Sequence, residues 1–231
     1  MLKLHEVTVI YPDKTKAIDG VSFTLGEGEN IALTGENGAG KTSLLLSVLG
    51  IPEPVSGTIE AGGIQLNKKT VNEIRKQIGL VFQNPDDQLF MPRVYDDVAF
   101  GCRNHGLSEG EIKTRVDETL ARLDISRLRE RSSLKLSAGE KRMAAIATVL
   151  AMEPSILLFD EPTAFLDPKA KRVLAEALRT LPHPKIIATH DMAFAAEICN
   201  RVIVLKDGRI AADGGPSVLN DGAFLRECGL Q

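Results

Sequence analysis

The stretch GENGAGKT, residues 35–42, places a lysine and a hydroxyl directly after three glycines. It fits the pattern G-x-x-x-x-G-K-[ST]. Glycines let a backbone wrap closely, and successive amides then point inward as a nest for an anion. Lys41 could reach terminal phosphates, and Thr42 could offer its hydroxyl to a magnesium ion. NIALTG before the loop reads as a short apolar strand, and KTSLLLSVLG after it as a helix. The helix from Gly40 adds its positive dipole end. The bland alternative, a glycine-rich turn before any helix, does not require the strand, lysine and helix to occur together.

Carboxylates that could complete such a site stand in ILLFDE, residues 156–161. Asp160 ends a buried apolar strand, where ligands gather in open α/β sheets, and is expected to hold magnesium through water. Glu161 follows at once and could act as general base on an attacking water. Two more polar groups end apolar runs: Gln83 after IGLVF and His190 after KIIAT. Gln83 could contact magnesium or the lytic water, and His190 a terminal phosphate. Each taken singly is an ordinary structural side chain; it is their convergence with Lys41 and Asp160 that makes them site candidates. Tyr11 could stack on a base, or simply pack in the core. In LSAGEK, residues 136–141, Ser137 and Glu140 fit a capping box at the start of a helix. Ser137 and its neighbouring amides also suit a phosphate that this chain does not itself hold.

These groups need a parallel sheet to present them. The first thirty residues alternate as strands, with turns expected at Asp19-Gly20 and Glu27-Gly28. SILLFDEP and KIIATHD are continuous apolar runs, as in parallel strands covered on both faces. Between about residues 89 and 152 the pattern turns helical: Ile112, Val116, Leu120 and Leu123 recur at helical spacing behind a second capping box, Ser108 with Glu111. RVIVLKDGRIAADG reads as a hairpin around Asp207-Gly208. The expected fold is α/β: a P-loop NTPase (RecA-like) mixed sheet core with an antiparallel β edge and an inserted helical subdomain. The core takes about 1–88 and 153–231, the helical subdomain about 89–152.

Composition narrows the classes. Of 231 residues, 43% are hydrophobic and 26% charged, as in globular proteins generally. A net charge of −3 and a pI near 5.9 argue against a general nucleic-acid binder. No apolar run approaches a membrane span, and the N-terminus lacks the pattern of a signal peptide. The three cysteines, Cys102, Cys199 and Cys228, read as reduced thiols. Cys102 and His105 have a C-x-x-H spacing, but two ligands are too few for a structural metal site.

The order of motifs resembles the ATP-binding subunit of ABC transporters over essentially the whole chain. GENGAGKT stands as Walker A, Gln83 as the Q-loop, LSAGEK as the signature, ILLFDE as Walker B, AFLD at 164–167 as the D-loop and His190 as the switch histidine. The resemblance implies that ATP is held by Tyr11, Gly35, Asn37, Gly38, Ala39, Gly40, Lys41, Thr42 and Ser43. Magnesium falls to Thr42, Gln83 and Asp160, and catalysis to Glu161, His190 and Gln83. Ser137 and Gly139 would face the ATP of a second subunit, a homodimer in preference to a heterodimer. FQNPDDQLF at 82–90, LAMEP at 150–154 and PTAFLDP at 162–168 are similar to ATPases of energy-coupling-factor importers, which take up cobalt, nickel or vitamins. That resemblance implies a membrane coupling protein and a membrane substrate-capture protein as partners. It puts Asp86, Asp87 and Gln88 near the docking groove, the subunit at the cytoplasmic face of the membrane, and no nucleic acid among the partners. Three residues differ from the family's usual ones: Ala138 for glycine, Glu140 for glutamine and Phe165 for a small residue. The competing readings are a weak or non-catalytic half of a heterodimer and a soluble ABC ATPase acting on nucleic acid or ribosomes. The latter usually carries coiled-coil insertions or tandem ATPase halves, and neither is visible here.

Overall fold

The computed structural model describes residues 1–230. In chain order the elements are β1 (Leu2–Ile10), β2 (Lys16–Leu25), β3 (Asn30–Thr34), α1 (Lys41–Val48), β4 (Ser56–Ala61), β5 (Ile64–Gln65), α2 (Val71–Gln77) and β6 (Ile78–Val81). Then follow α3 (Val94–Asn104), α4 (Glu109–Arg122), α5 (Ala138–Leu150), β7 (Ile156–Asp160), α6 (Pro168–Thr180) and β8 (Lys185–Ala188). The chain ends with α7 (Met192–Ile198), β9 (Arg201–Lys206), β10 (Arg209–Gly214) and α8 (Gly222–Glu227).

The chain divides into two compact units. The first comprises Met1–Ile78, Ser155–Glu161 and the described residues from Pro182 onward. Within it, strands run in the order β10-β9-β3-β8-β7. β3 pairs in parallel with β8 and β9, and β7 in parallel with β8. All residues of β7 and β8 are buried, which accounts for their unbroken apolar runs. The register is what positions the chemistry. Leu33 and Asp160 both lie opposite Ala188. The loop after β3, the residues after β7 and the residues after β8 therefore leave the sheet at one level. An antiparallel sheet, β2-β1-β4-β5, forms the edge.

Two of the hairpin turns follow the sequence. Gly62-Gly63 and Asp207-Gly208 each have φ positive at both positions and close two-residue turns. Asp19-Gly20 is not a turn. Both residues lie within β2, and Gly20, at φ 66°, sits where the β1–β2 register shifts between Val7–Val21 and Val9–Ile18. A glycine in a strand here absorbs a bulge, which a turn signal alone does not distinguish from a chain reversal.

The second unit comprises Gly79–Pro154 and Pro162–Leu181. It holds α3, α4, α5 and α6 and is larger than the helical run 89–152. The reason lies in two side chains of α5's neighbourhood. Arg142, only 1% exposed, donates to the carbonyls of Phe82 and Gln83 at 2.7 and 2.6 Å. Gln88 Nε2 donates to Ala145 O at 2.9 Å and Thr148 Oγ1 at 2.7 Å. These bonds attach residues 82–88 to α5. Ile112, Val116 and Leu120 are fully buried on α4, and the Ser108–Glu111 capping box is formed as the sequence indicates. No helix among the described residues is long and apolar enough to cross a membrane.

Candidate functional site

The loop from Gly35 to Gly40 curls in front of α1, and Lys41 is its strut. Lys41 Nζ donates to Gly35 O at 2.8 Å and Glu36 O at 3.0 Å. An ammonium has three donors, so one remains for a phosphate. The residue is 7% exposed, and burial holds its ammonium below the ordinary lysine value against the pull of Glu161, Asp160 and Glu36. Gly40 has φ 104°, and a Cβ there would stand 2.4 Å from Ala17 O, so glycine is required on both counts. At Gly38, φ 87°, a Cβ would meet nothing within 4 Å. The loop thus packs tightly behind Gly40 and opens outward at Gly38, the shape an anion nest needs.

Two candidates meet at the start of α1. Tyr11 lies one residue beyond β1, and its hydroxyl is 3.0 Å from Ser43 Oγ. Tyr11 N also bonds Thr15 O at 2.9 Å, which ties its backbone into the turn between β1 and β2. Thr42 Oγ1 donates to Asp160 Oδ2 at 2.9 Å. Asp160 is the last residue of β7 and 6% exposed. A hydroxyl and a carboxylate beside a phosphate nest are hard oxygen donors of the kind magnesium takes, so the residues fit that ion.

Glu161 adopts φ 43° and is buried at 7%. Its amide donates to Ala188 O at 2.8 Å, and its Oε2 accepts from His190 N at 3.3 Å and lies 2.8 Å from His190 Nδ1. His190 stands two residues past β8 with its side chain 64% exposed. The pairing of Glu161 with His190 is not visible in the motifs, because 29 residues separate them. Only the shared level of β7 and β8 brings them together.

Gln83 belongs to the second unit. It does not end a strand: β6 stops at Val81, and the two residues beyond it are held through their carbonyls by Arg142. Arg142 read as part of a helix-forming run, and a buried arginine bonded to carbonyls leaves no spacing signal. In the same unit Ser137 caps α5 with its capping box complete. Ala138 is the first residue of α5 and is not among the residues with positive φ. The strain a methyl group would suffer at a left-handed position therefore does not arise. A Cβ on Gly139 would stand 3.0 Å from the Cβ of Ala170. Phe165 is the strained residue, at φ 63° and 81% exposed. Ser137, Ala138, Gly139, Glu140 and Phe165 line one cavity of about 520 Å3. Asp86 bonds Lys141 at 2.5 Å, while Gln88 is committed to α5. Cys102 is buried with Sγ 3.3 Å from Ala151 O, and no group of three or more His, Cys, Asp or Glu suited to a metal occurs among the described residues.

The sequence pattern of ABC transporters matches residues 18–164, from β2 through the phosphate loop, the signature and the Asp160-Glu161 pair. The chain belongs to the ABC transporter family. Among its ABC relatives is the energy-coupling factor transporter ATP-binding protein EcfA of Carboxydothermus hydrogenoformans, 43% identical over all of this chain and 86% of that protein. The cobalt import ATP-binding protein CbiO of Rhodobacter capsulatus is 42% identical over all of this chain and 85% of its own length. CbiO1 of Clostridium perfringens, part of the ABC transporter complex CbiONQ, superposes with a TM-score of 0.86 at 40% identity, covering 100% of this chain and 94% of that one. The dimeric ATP-binding cassette MJ0796, bound to ADP and Pi, gives 0.82 at 27% identity, covering 94% and 99%. The ABC fold seen here, a P-loop core with an antiparallel sheet and a helical part, is the fold of these cassettes, and ATP binding with hydrolysis is the activity of the family.

Proposed function

We propose that this ABC ATPase is the motor subunit of an energy-coupling-factor type importer, working as a homodimer. The reading is supported by whole-chain similarity to EcfA and CbiO. One structural observation carries its chemistry: the Thr42–Asp160 and Glu161–His190 contacts, both at the strand ends that follow the phosphate loop. Two copies would meet head to tail across the nucleotide. The loop Gly35–Ser43 of one copy, with Asn37 and Ala39 contributing amides, would face Ser137 and Gly139 of the other across ATP. Tyr11 would stack on the base.

Thr42 and Asp160 would hold magnesium, which when bound neutralises charge on the phosphates. Glu161 would take the proton of the attacking water, oriented by His190. Lys41 would bind the terminal phosphates with its remaining donor. Hydrolysis would break the bond between the β- and γ-phosphates, and release of the freed phosphate would let the pair reopen. Membrane partners, a coupling protein docked near Asp86, Asp87 and Gln88 and a capture protein, would follow this cycle. The subunit would then sit peripherally at the cytoplasmic face of the membrane. The capture protein would select the cargo, cobalt or nickel ahead of a vitamin.

The test is to co-purify the chain with its membrane partners and reconstitute them in vesicles. ATP should drive uptake of one cargo class, and Glu161→Gln should abolish both uptake and turnover. A reconstituted complex that hydrolyses ATP but moves none of these cargoes would overturn the importer reading.

A further inference from the structure

Glu140 is a carboxylate placed one helical turn from the serine expected to face a phosphate, and its bonds are divided. Oε2 accepts from Ser137 N at 3.0 Å and from Ser137 Oγ at 3.2 Å, while Ser137 Oγ accepts from Glu140 N at 3.3 Å. Oε1 accepts from Arg127 Nη1 at 2.5 Å. The carboxyl is held down to about 2, first by Arg127 and then by the amide of Ser137. It therefore stays charged at any physiological pH and cannot meet an approaching phosphate by becoming neutral. The two cations that follow it in the chain are engaged elsewhere: Lys141 on Asp86, and Arg142 on the carbonyls of Phe82 and Gln83.

Arg127 lies outside the signature, in a 3-10 turn at Ser126–Leu128. Ile125 and Leu128 are buried on either side of it, and Ile125 N bonds Leu120 O at 2.9 Å. The turn is thus anchored to the end of α4, and the guanidinium is delivered to Glu140 from a fixed base. Arg127, Ser137, Glu140 and Lys169 line the same cavity.

We propose that Arg127 is a positioning residue for the signature: it neutralises Glu140 and keeps its Oε2 on the Ser137 amide, so that the Ser137 hydroxyl can turn from Oε2 to the phosphate of a second copy's ATP. The inference rests on the reading that Ser137 faces that phosphate. It explains how the chain accommodates glutamate where the family commonly has glutamine. Without the guanidinium, Glu140 would stand as an uncompensated like charge beside the phosphate, and closure would weaken.

The test uses the full chain carrying Glu161→Gln, in which ATP should bind without being consumed, with the ATP-dependent dimer measured by sedimentation. Arg127→Ala should raise the ATP concentration at half-dimerisation by about tenfold or more, and Arg127→Lys by less. Adding Glu140→Gln to Arg127→Ala should restore the midpoint to within about threefold of Glu140→Gln alone, because the charge needing compensation is gone. A residue that merely stabilised α5 would show no such rescue. An Arg127→Ala midpoint within about threefold of its parent, or a double variant as weak as Arg127→Ala, overturns the proposal. Ser137→Ala separates the two levels. If it weakens the dimer while Arg127→Ala does not, only the role of Arg127 fails; if neither it nor ATP affects association, the reading of the signature fails with it.

Discussion

Glu161 Oε2 lies 2.8 Å from Nδ1 of His190. The two are held in register by the sheet, since Asp160 pairs with Ala188 and the Glu161 amide bonds Ala188 O. With Nδ1 carrying the proton toward the carboxylate, Nε2 of the exposed ring would be left for a phosphate or the lytic water in the proposed cycle. In the proposed cycle His190 would then have two tasks, one at each nitrogen, the first being to orient Glu161.

Substitutions at this pair should separate those tasks. Glu161→Gln removes the proposed base, and turnover in the assembled transporter should fall about 10²- to 10⁴-fold with little change in ATP affinity. His190→Ala loses both contacts and His190→Asn keeps a donor near the position of Nδ1, so Asn should retain more activity than Ala. Steady-state ATPase rates decide it. Equal rates for Asn and Ala would mean that the Nδ1 contact contributes nothing to catalysis.

The Thr42–Asp160 bond leads to a prediction about magnesium. Asp160→Asn keeps the shape but removes a charge, and should raise the magnesium concentration needed for half-maximal ATPase by about 10- to 100-fold, as loss of an outer-shell carboxylate generally does. Thr42→Ala should move it in the same direction. Binding of ATP in the presence of a chelator should be unchanged. An unaltered magnesium titration in Asp160→Asn would exclude this carboxylate from the metal's surroundings.

How far the sequence reached depended on distance along the chain. The phosphate loop was legible because strand, glycines, lysine and helix are contiguous, and the capping boxes at Ser108 and Ser137 because they close within four residues. Pairings such as Glu161–His190, Tyr11–Ser43 and Arg127–Glu140 were not, since each depends on how separate elements are brought together. Asp19-Gly20 misled because a bulge and a turn ask the same thing of glycine. Gln83 misled because the apolar run IGLVF outlasts its strand by one residue, Phe82, which is 40% exposed.

The two residues after Ser137 should respond differently to substitution. Ala138 already takes a helical conformation, so Ala138→Gly should cost at most about 1 kcal/mol in helix propensity. Gly139→Ala must move Ala170, whose Cβ would be 3.0 Å away, and should cost about 1–3 kcal/mol before any propensity gain. Chemical denaturation and ATP-dependent dimerisation should both rank Gly139→Ala as the more damaging change. The reverse order would show that α6 yields freely and that the methyl of Ala138 is the obstacle.

Asp97 offers a test through pH. Its Oδ1 accepts from Phe90 N and Met91 N, each at 2.9 Å, and the side chain is 3% exposed. Burial pushes its carboxyl above the ordinary 3.8, opposed by the two amides and assisted by Asp96. Between 3.8 and the raised value the folded chain keeps a proton that the unfolded chain has released. Stability from this group therefore falls as pH rises through that window. Asp97→Asn should flatten that slope while keeping an acceptor for the amides, and should lie within about 1 kcal/mol of the parent at neutral pH. Asp97→Ala leaves both amides without their acceptor and should lose about 1–3 kcal/mol at any pH. Urea unfolding at a series of pH values is the measurement. A slope unchanged in Asp97→Asn would mean that the carboxyl at the head of α3 titrates alike in the folded and unfolded chain, as a hydrated group does.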